Sequence, residues 1–64
     1  MKNNIKEIRL ALNLSQKELA QLCDVSRQTI NMVENDKYDP SLPLAMKLAR
    51  SLNRSIEQLF ELDD

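Results

Sequence analysis

Not one of the 64 residues is glycine, and that absence narrows the choice of fold more than any residue present does. Glycine is the default wherever a chain needs positive φ, in tight hairpins, in phosphate-cradling loops and just past helix ends. A chain without it carries no Gly-rich nucleotide motif. It must also close its helices with Asn or Asp, the other residues that tolerate the left-handed region. Leu, Ala, Lys, Glu and Gln are abundant, whereas Tyr and Phe occur once each and Trp not at all. Those residue types favour helices over sheets.

Sixty-four residues make one compact domain, 1–64, with a small core. Cys23 is the only cysteine and there is no histidine, so neither an internal disulfide nor a zinc site is expected. A lone thiol suits a reducing cytosol. Met1 to Leu10 alternate charged and apolar residues, unlike a signal peptide, and no apolar run approaches the length of a membrane span. Expected, therefore, is a cytoplasmic protein with no membrane contact and no cofactor. The formal net charge of -1 argues mildly against a nucleic-acid partner as a whole-chain average. Its distribution says more: Lys2, Lys6, Arg9, Lys17, Arg27 and Lys37 lie in the first part, and only Glu57, Glu61, Asp63 and Asp64 follow Arg54.

Ile5, Ile8 and Leu12 recur at helical spacing, so 4–12 reads as a first helix with those residues inward and Asn13 as its left-handed stop. Ser15-Gln16-Lys17-Glu18 matches the capping box, which starts a second helix with Leu19, Ala20 and Cys23 on its buried face. Asp24 turns the chain and Val25 anchors it. Ser26 caps a third helix running from Arg27 to about Glu34, with Ile30 and Val33 inward. Residues 35–40 are turn formers around Tyr38 and make a loop. Ser41 caps a fourth helix striped with Leu44, Ala45, Leu48, Ala49 and Leu52, and Asn53 ends it. Ser55 and Gln58 form a second capping box, opening a fifth helix whose Ile56, Leu59 and Phe60 face the core.

Ser-Gln-Lys-Glu-Leu-Ala at 15–20 followed by Val-Ser-Arg-Gln-Thr-Ile at 25–30 resembles the phage lambda repressor and Cro-like helix-turn-helix family. The resemblance continues through Glu34-Asn35, through Lys37-Tyr38-Asp39-Pro40-Ser41 and through the Leu-Ala-rich fourth helix to residues 55–60. It implies an all-α, five-helix domain whose second and third helices form the helix-turn-helix. Independently, Ala20 is small enough for those two helices to cross closely, and Val25 and Ile30 are apolar where the angle must be locked. The family usually has glycine where this chain has Asn13, Asp24, Asp36 and Asn53. All four replacements tolerate the left-handed conformation, so the departure bears on stability more than on fold.

Further implications of the resemblance are specific to residues. Ser26, Arg27, Gln28 and Asn31 lie on the exposed arc of the third helix, from which the family reads bases. Gln or Asn can pair bidentately with adenine and Arg with guanine. Ser26 is also explained by its cap, and Arg27 by a phosphate contact. Gln16, Lys17, Asn35 and Lys37 match phosphate-contacting positions, whereas Tyr38 can bond phosphate or simply pack over the loop. Arg9 and Glu34 match a structural ion pair between the first and third helices.

Catalysis has little to stand on: there is no histidine base, and the C-terminal carboxylates read as a solvated tail. Cys23 falls on a buried face and reads as core rather than redox sensor. Leu10 and Leu22, off the main stripes, need no partner. The expected function is a sequence-specific transcriptional regulator that binds double-stranded DNA, a repressor acting by operator occupancy since so short a chain leaves no room for a sensor domain. The partner expected besides DNA is a second copy, giving a homodimer on an inverted-repeat operator, with Phe60 and Leu62 as the contact surface. A rival reading is an antitoxin-like interaction module that holds a basic partner on the acidic C-terminal end.

Overall fold

The structure, a computed structural model, describes residues 1–62. It contains α1 (Ile5–Ala11), α2 (Gln16–Cys23), α3 (Arg27–Glu34), α4 (Leu42–Leu52) and α5 (Ile56–Leu59). Two short strands, β1 (Lys2–Asn3) and β2 (Phe60–Glu61), pair antiparallel with Lys2 opposite Glu61 and Asn3 opposite Phe60. The fold is therefore all-α with a two-stranded clasp joining its ends.

From α2 to α5 each helix starts for a local reason. Ser15, Ser26, Ser41 and Ser55 sit extended at the N-caps of α2 to α5, and each hydroxyl accepts from the amide three residues on. The boxes at Ser15/Glu18 and Ser55/Gln58 are both closed reciprocally. Asn13, Asp24, Asp36 and Asn53 all have positive φ, between 56° and 60°. The glycine-free chain thus makes its left-handed turns with the residues whose short polar side chains make that region tolerable. Pro43 lies in the first turn of α4, where its missing amide proton would have had no helical acceptor.

The core is a single cluster that includes Ile5, Leu19, Ala20, Cys23, Ile30, Val33, Leu48, Leu52 and Leu59. Each fully buried aliphatic side chain removes enough apolar surface from water to contribute about 1.5–3 kcal/mol. Ala20, only 3% exposed, lets α2 and α3 approach, and the Val25 amide bonds the Ala20 carbonyl at 3.0 Å to set the turn between them. Asn3 donates its side-chain amide to the Val33 carbonyl at 2.8 Å, tying β1 to α3.

Two details depart from the sequence reading. Leu12, expected inward, is the C-cap of α1 and stands 42% exposed; the inward positions of that helix are Ile5 and Arg9, with Ile8 partly buried. The chain turns at Asn13 and half-buries Leu14 instead. Likewise α5 stops at Leu59, and Phe60 enters β2 with extended backbone, φ -124° and ψ 148°, still buried within its own chain.

Candidate nucleic-acid interface

Buried Ile30 and Val33 hold α3 against the domain, so its opposite arc faces solvent as a rigid projection. Arg27, Gln28 and Asn31 are exposed on that arc. Together with Gln16 at the start of α2 they line an open concavity of about 340 Å³. Three amides and a guanidinium surround it. Such a set presents acceptors as well as donors, matching what a base-pair edge offers in a major groove. Among the described residues, the side chains of Arg27, Gln28 and Asn31 make no hydrogen bond or ion pair within the chain. They are thus free to bond a ligand.

The other expected residues do not line this concavity. Ser26 lies exposed at the N-cap, where its Oγ accepts from the Thr29 amide at 3.1 Å and is 3.0 Å from Thr29 Oγ1. Asn35 is the C-cap of α3 and donates its side-chain amide to the Asn31 carbonyl at 2.8 Å. Lys17, Lys37 and Tyr38 are exposed. Lys37 follows the left-handed Asp36, and its amide bonds the Met32 carbonyl at 2.9 Å, so the turn after α3 fixes where that lysine emerges.

Behind the concavity lies a charged pair. Arg9 Nε donates to Glu34 Oε2 at 2.7 Å and Arg9 Nη2 to Glu34 Oε1 at 3.3 Å. The two side chains are 7% and 2% exposed, so this is a buried, bidentate ion pair between α1 and α3. Arg9 Nη1 also donates to the Leu14 carbonyl at 2.8 Å, and Gln16 Nε2 to Glu34 Oε1 at 3.0 Å. Sequence reasoning reached the ion pair but missed the last two bonds. A backbone carbonyl gives no signal in sequence, and a glutamine that serves two neighbours at once looks like any surface glutamine.

Phe60 is 8% exposed, whereas Leu62 is 77% exposed at the end of the described chain. The two residues of the expected contact surface are thus placed differently: one packs at home and the other is available. Cys23 is buried, with Sγ 3.7 Å from Ser51 Oγ. Burial pushes its thiol pKa up, opposed by the Ser51 bond and by the charge of Lys47. No described helix is long and apolar enough to cross a membrane.

Comparison with known proteins agrees with this geometry. The model of the family described as Helix-turn-helix matches residues 5–59. An uncharacterized HTH-type transcriptional regulator of Archaeoglobus fulgidus is 47% identical over 64 residues, covering 100% of this chain and 90% of that one. The uncharacterized HTH-type transcriptional regulator YgzD of Bacillus subtilis is 38% identical over 64 residues, covering 100% and 97%. Among solved structures, the restriction-modification controller protein C.AhdI of Aeromonas hydrophila superposes with a TM-score of 0.81 at 36% identity, covering 88% of this chain and 85% of that one. With the matched segment spanning all five helices, this chain belongs to the helix-turn-helix family of lambda-repressor-like regulators.

Proposed function

We propose that the protein is a sequence-specific DNA-binding transcriptional regulator that reads duplex DNA with α3 and acts in the cytoplasm as a repressor by occupying its operator. The observation that carries this reading is the rigid arc of Arg27, Gln28 and Asn31 around an open polar concavity, on a helix whose other face is core. A helix held this way enters a major groove roughly 12 Å wide with its N-terminal side chains foremost. Gln28 and Asn31 offer donor and acceptor together, as adenine requires, and Arg27 offers the paired donors that suit guanine. Ser26 stands beside them at the N-cap. Lys17, Asn35, Lys37 and Tyr38 flank the arc as phosphate contacts, with Gln16 at its inner edge. Binding to DNA, not chemistry on it, is the activity.

The net charge of -1 is no obstacle. Arg9 and Glu34 cancel each other inside the domain. What steers DNA is the local field of a few cations near the binding face.

Titration of each variant against duplexes differing by single base pairs tests the roles separately. Gln28→Ala is expected to lose about 1–3 kcal/mol at one base position and to flatten preference there. Lys37→Ala is expected to weaken binding to all duplexes alike and to lower the salt slope by about one. Preference unchanged at every position in Gln28→Ala would remove that residue from the reading face. A base-selective loss in Lys37→Ala would show that it reads sequence instead of phosphate.

A further inference from the structure

Asn3 joins three parts of the chain. Its backbone pairs with Phe60 in the clasp, its Oδ1 accepts from the Ile5 amide at 3.1 Å where α1 begins, and its Nδ2 donates to the Val33 carbonyl at 2.8 Å in the last turn of α3. The clasp keeps it in place. The Asn4 amide bonds the Leu59 carbonyl at 2.8 Å, and Asn4 Nδ2 donates to the Gln58 carbonyl at 3.2 Å. The Val33 carbonyl that Asn3 reaches is part of the stop that ends α3. The Asp36 amide bonds that same oxygen at 3.2 Å and the Lys37 amide bonds the Met32 carbonyl at 2.9 Å, the paired bonds of a Schellman stop with Asp36 left-handed at φ 60°. A carbonyl oxygen has two lone pairs, so Val33 serves Asn3 and Asp36 together.

That stop is weakly specified by its own residues. Glycine enters the left-handed region without penalty, whereas the Cβ of Asp36 crowds the carbonyl that follows it. The turn is also exposed at Asn35, Asp36 and Lys37, and helix ends open to water more readily than cores do. A bond from outside the turn therefore adds most where the turn is least able to hold itself, and Asn3 supplies one from the opposite end of the chain. Lys37 depends on the result. It is the residue directly after Asp36, and its long side chain already loses freedom when it addresses a phosphate; a backbone that also had to be ordered would raise that cost.

We propose that Asn3 is a positioning residue for the phosphate contact of Lys37: carried by the clasp, it holds the Val33 carbonyl and keeps the left-handed turn at Asp36 from which that lysine emerges. The pairing of the two chain ends thereby acts on DNA affinity through Asn3, without touching DNA. It leaves base preference alone, because Arg27 and Gln28 lie at the other end of α3. This rests on the reading of Lys37 as a phosphate contact.

The test uses the full chain carrying Asn3→Ser, which separates the two bonds of the side chain. A serine hydroxyl can still accept from the amide two residues on, as Asn does, but it is too short to reach Val33. Hydrogen exchange of the free protein is the first readout. The amides of Asp36 and Lys37 are expected to exchange about tenfold faster relative to those of Leu19 and Leu48 in the core. Titration with a duplex recovered by selection from random DNA, and with its single-base-pair variants, is the second. Asn3→Ser should bind all of them about threefold to tenfold more weakly, the value of one hydrogen bond. In a Lys37→Ala background the same change should cost nothing further. An unchanged exchange ratio, a loss confined to one base position, or losses that add in the double variant would each overturn the proposal. Were Asn3→Ser not to fold, a structure of the wild-type complex still decides: Asn3 Nδ2 on the Val33 carbonyl with Lys37 on a phosphate upholds the proposal, and Asn3 turned away from Val33 refutes it. Faster exchange in Asn3→Ser beside a Lys37→Ala variant of unaltered DNA affinity would instead sink the phosphate reading of Lys37, and the role of Asn3 in binding with it.

Discussion

Arg9 and Glu34 put two full charges where side-chain exposures are 7% and 2%, in a domain that can ill tolerate an unpaired one. A chain of 64 residues has roughly 3–10 kcal/mol of total stability. Removing one member of a buried pair typically costs about 3–5 kcal/mol. Arg9→Met is thus expected to bring the protein close to unfolding in a urea titration. Arg9→Met combined with Glu34→Leu should recover much of the loss, because the apolar pair leaves no charge stranded. Equal stability of the single and double variants would mean that the cost lay in packing and not in charge. Cys23 gives a second test at this scale. Its folded pKa is raised by burial, so its contribution to stability is complete below the ordinary thiol pKa and is lost as pH rises through the folded value. Iodoacetamide at neutral pH should label it only as fast as the protein opens, and rapid labelling of native protein would contradict its burial.

Helix ends carry the next scale of the account. Asn53 is left-handed at φ 56° after α4, and its amide bonds the Ala49 and Arg50 carbonyls that the helix leaves open. Asn53→Ala should cost about 1–2 kcal/mol, because a Cβ without a local hydrogen bond makes that region unfavourable. Asn53→Gly should be neutral or stabilising in the same thermal melt. Loss from both would point to the Asn side chain and not to backbone conformation. The cap of α2 responds to acid: the Ser15 amide and hydroxyl hold the Glu18 carboxyl below its usual pKa. Its contribution is present above the ordinary glutamate pKa and fades as pH falls through the lowered one, an effect that Glu18→Gln, which has no carboxyl to titrate, should abolish.

These ends were legible because each is a local code. With glycine absent, an Asn or Asp just past an apolar helical stripe, as at Asn13, Asp24 and Asn53, marked a stop, and Ser with Glu or Gln three residues on marked a helix start. The apolar stripes of α2, α3 and α4 read equally well. The clasp did not: strands of two residues have no room for an alternating pattern, and the pairing of Asn3 with Phe60 joins opposite ends of the chain. Leu12 misled for a related reason. Its spacing from Ile5 and Ile8 was helical, but the site facing α3 at the next turn was filled by Arg9, whose aliphatic stem and guanidinium the ion pair brings inward. Within the candidate interface, the exposed arc of α3 followed from the inward spacing of Ile30 and Val33 and its reading role came from the family resemblance, whereas the bond from Gln16 to Glu34 spans two helices and has no local signature.

For the whole molecule the question is how a short helix selects one site in a genome. The side chains of one α3 reach only a few base pairs, so we place two copies about a two-fold axis, with their third helices about 34–36 Å apart, one duplex turn. We propose that Leu62, 77% exposed where Phe60 is already packed at home, meets its copy across that axis. Sedimentation equilibrium without DNA should show a dimer at micromolar concentration that Leu62→Asp converts to monomer. A wild-type monomer would mean that pairing happens only on DNA, and a dimer indifferent to Leu62→Asp would place the interface elsewhere. Selection of bound sequences from a random duplex pool tests the central claim most directly. The account predicts an enriched inverted repeat, its half-site centres about one helical turn apart, or 34–36 Å. A pool that stays random after repeated rounds, or one that converges on single-stranded or unsymmetrical sites, would contradict it.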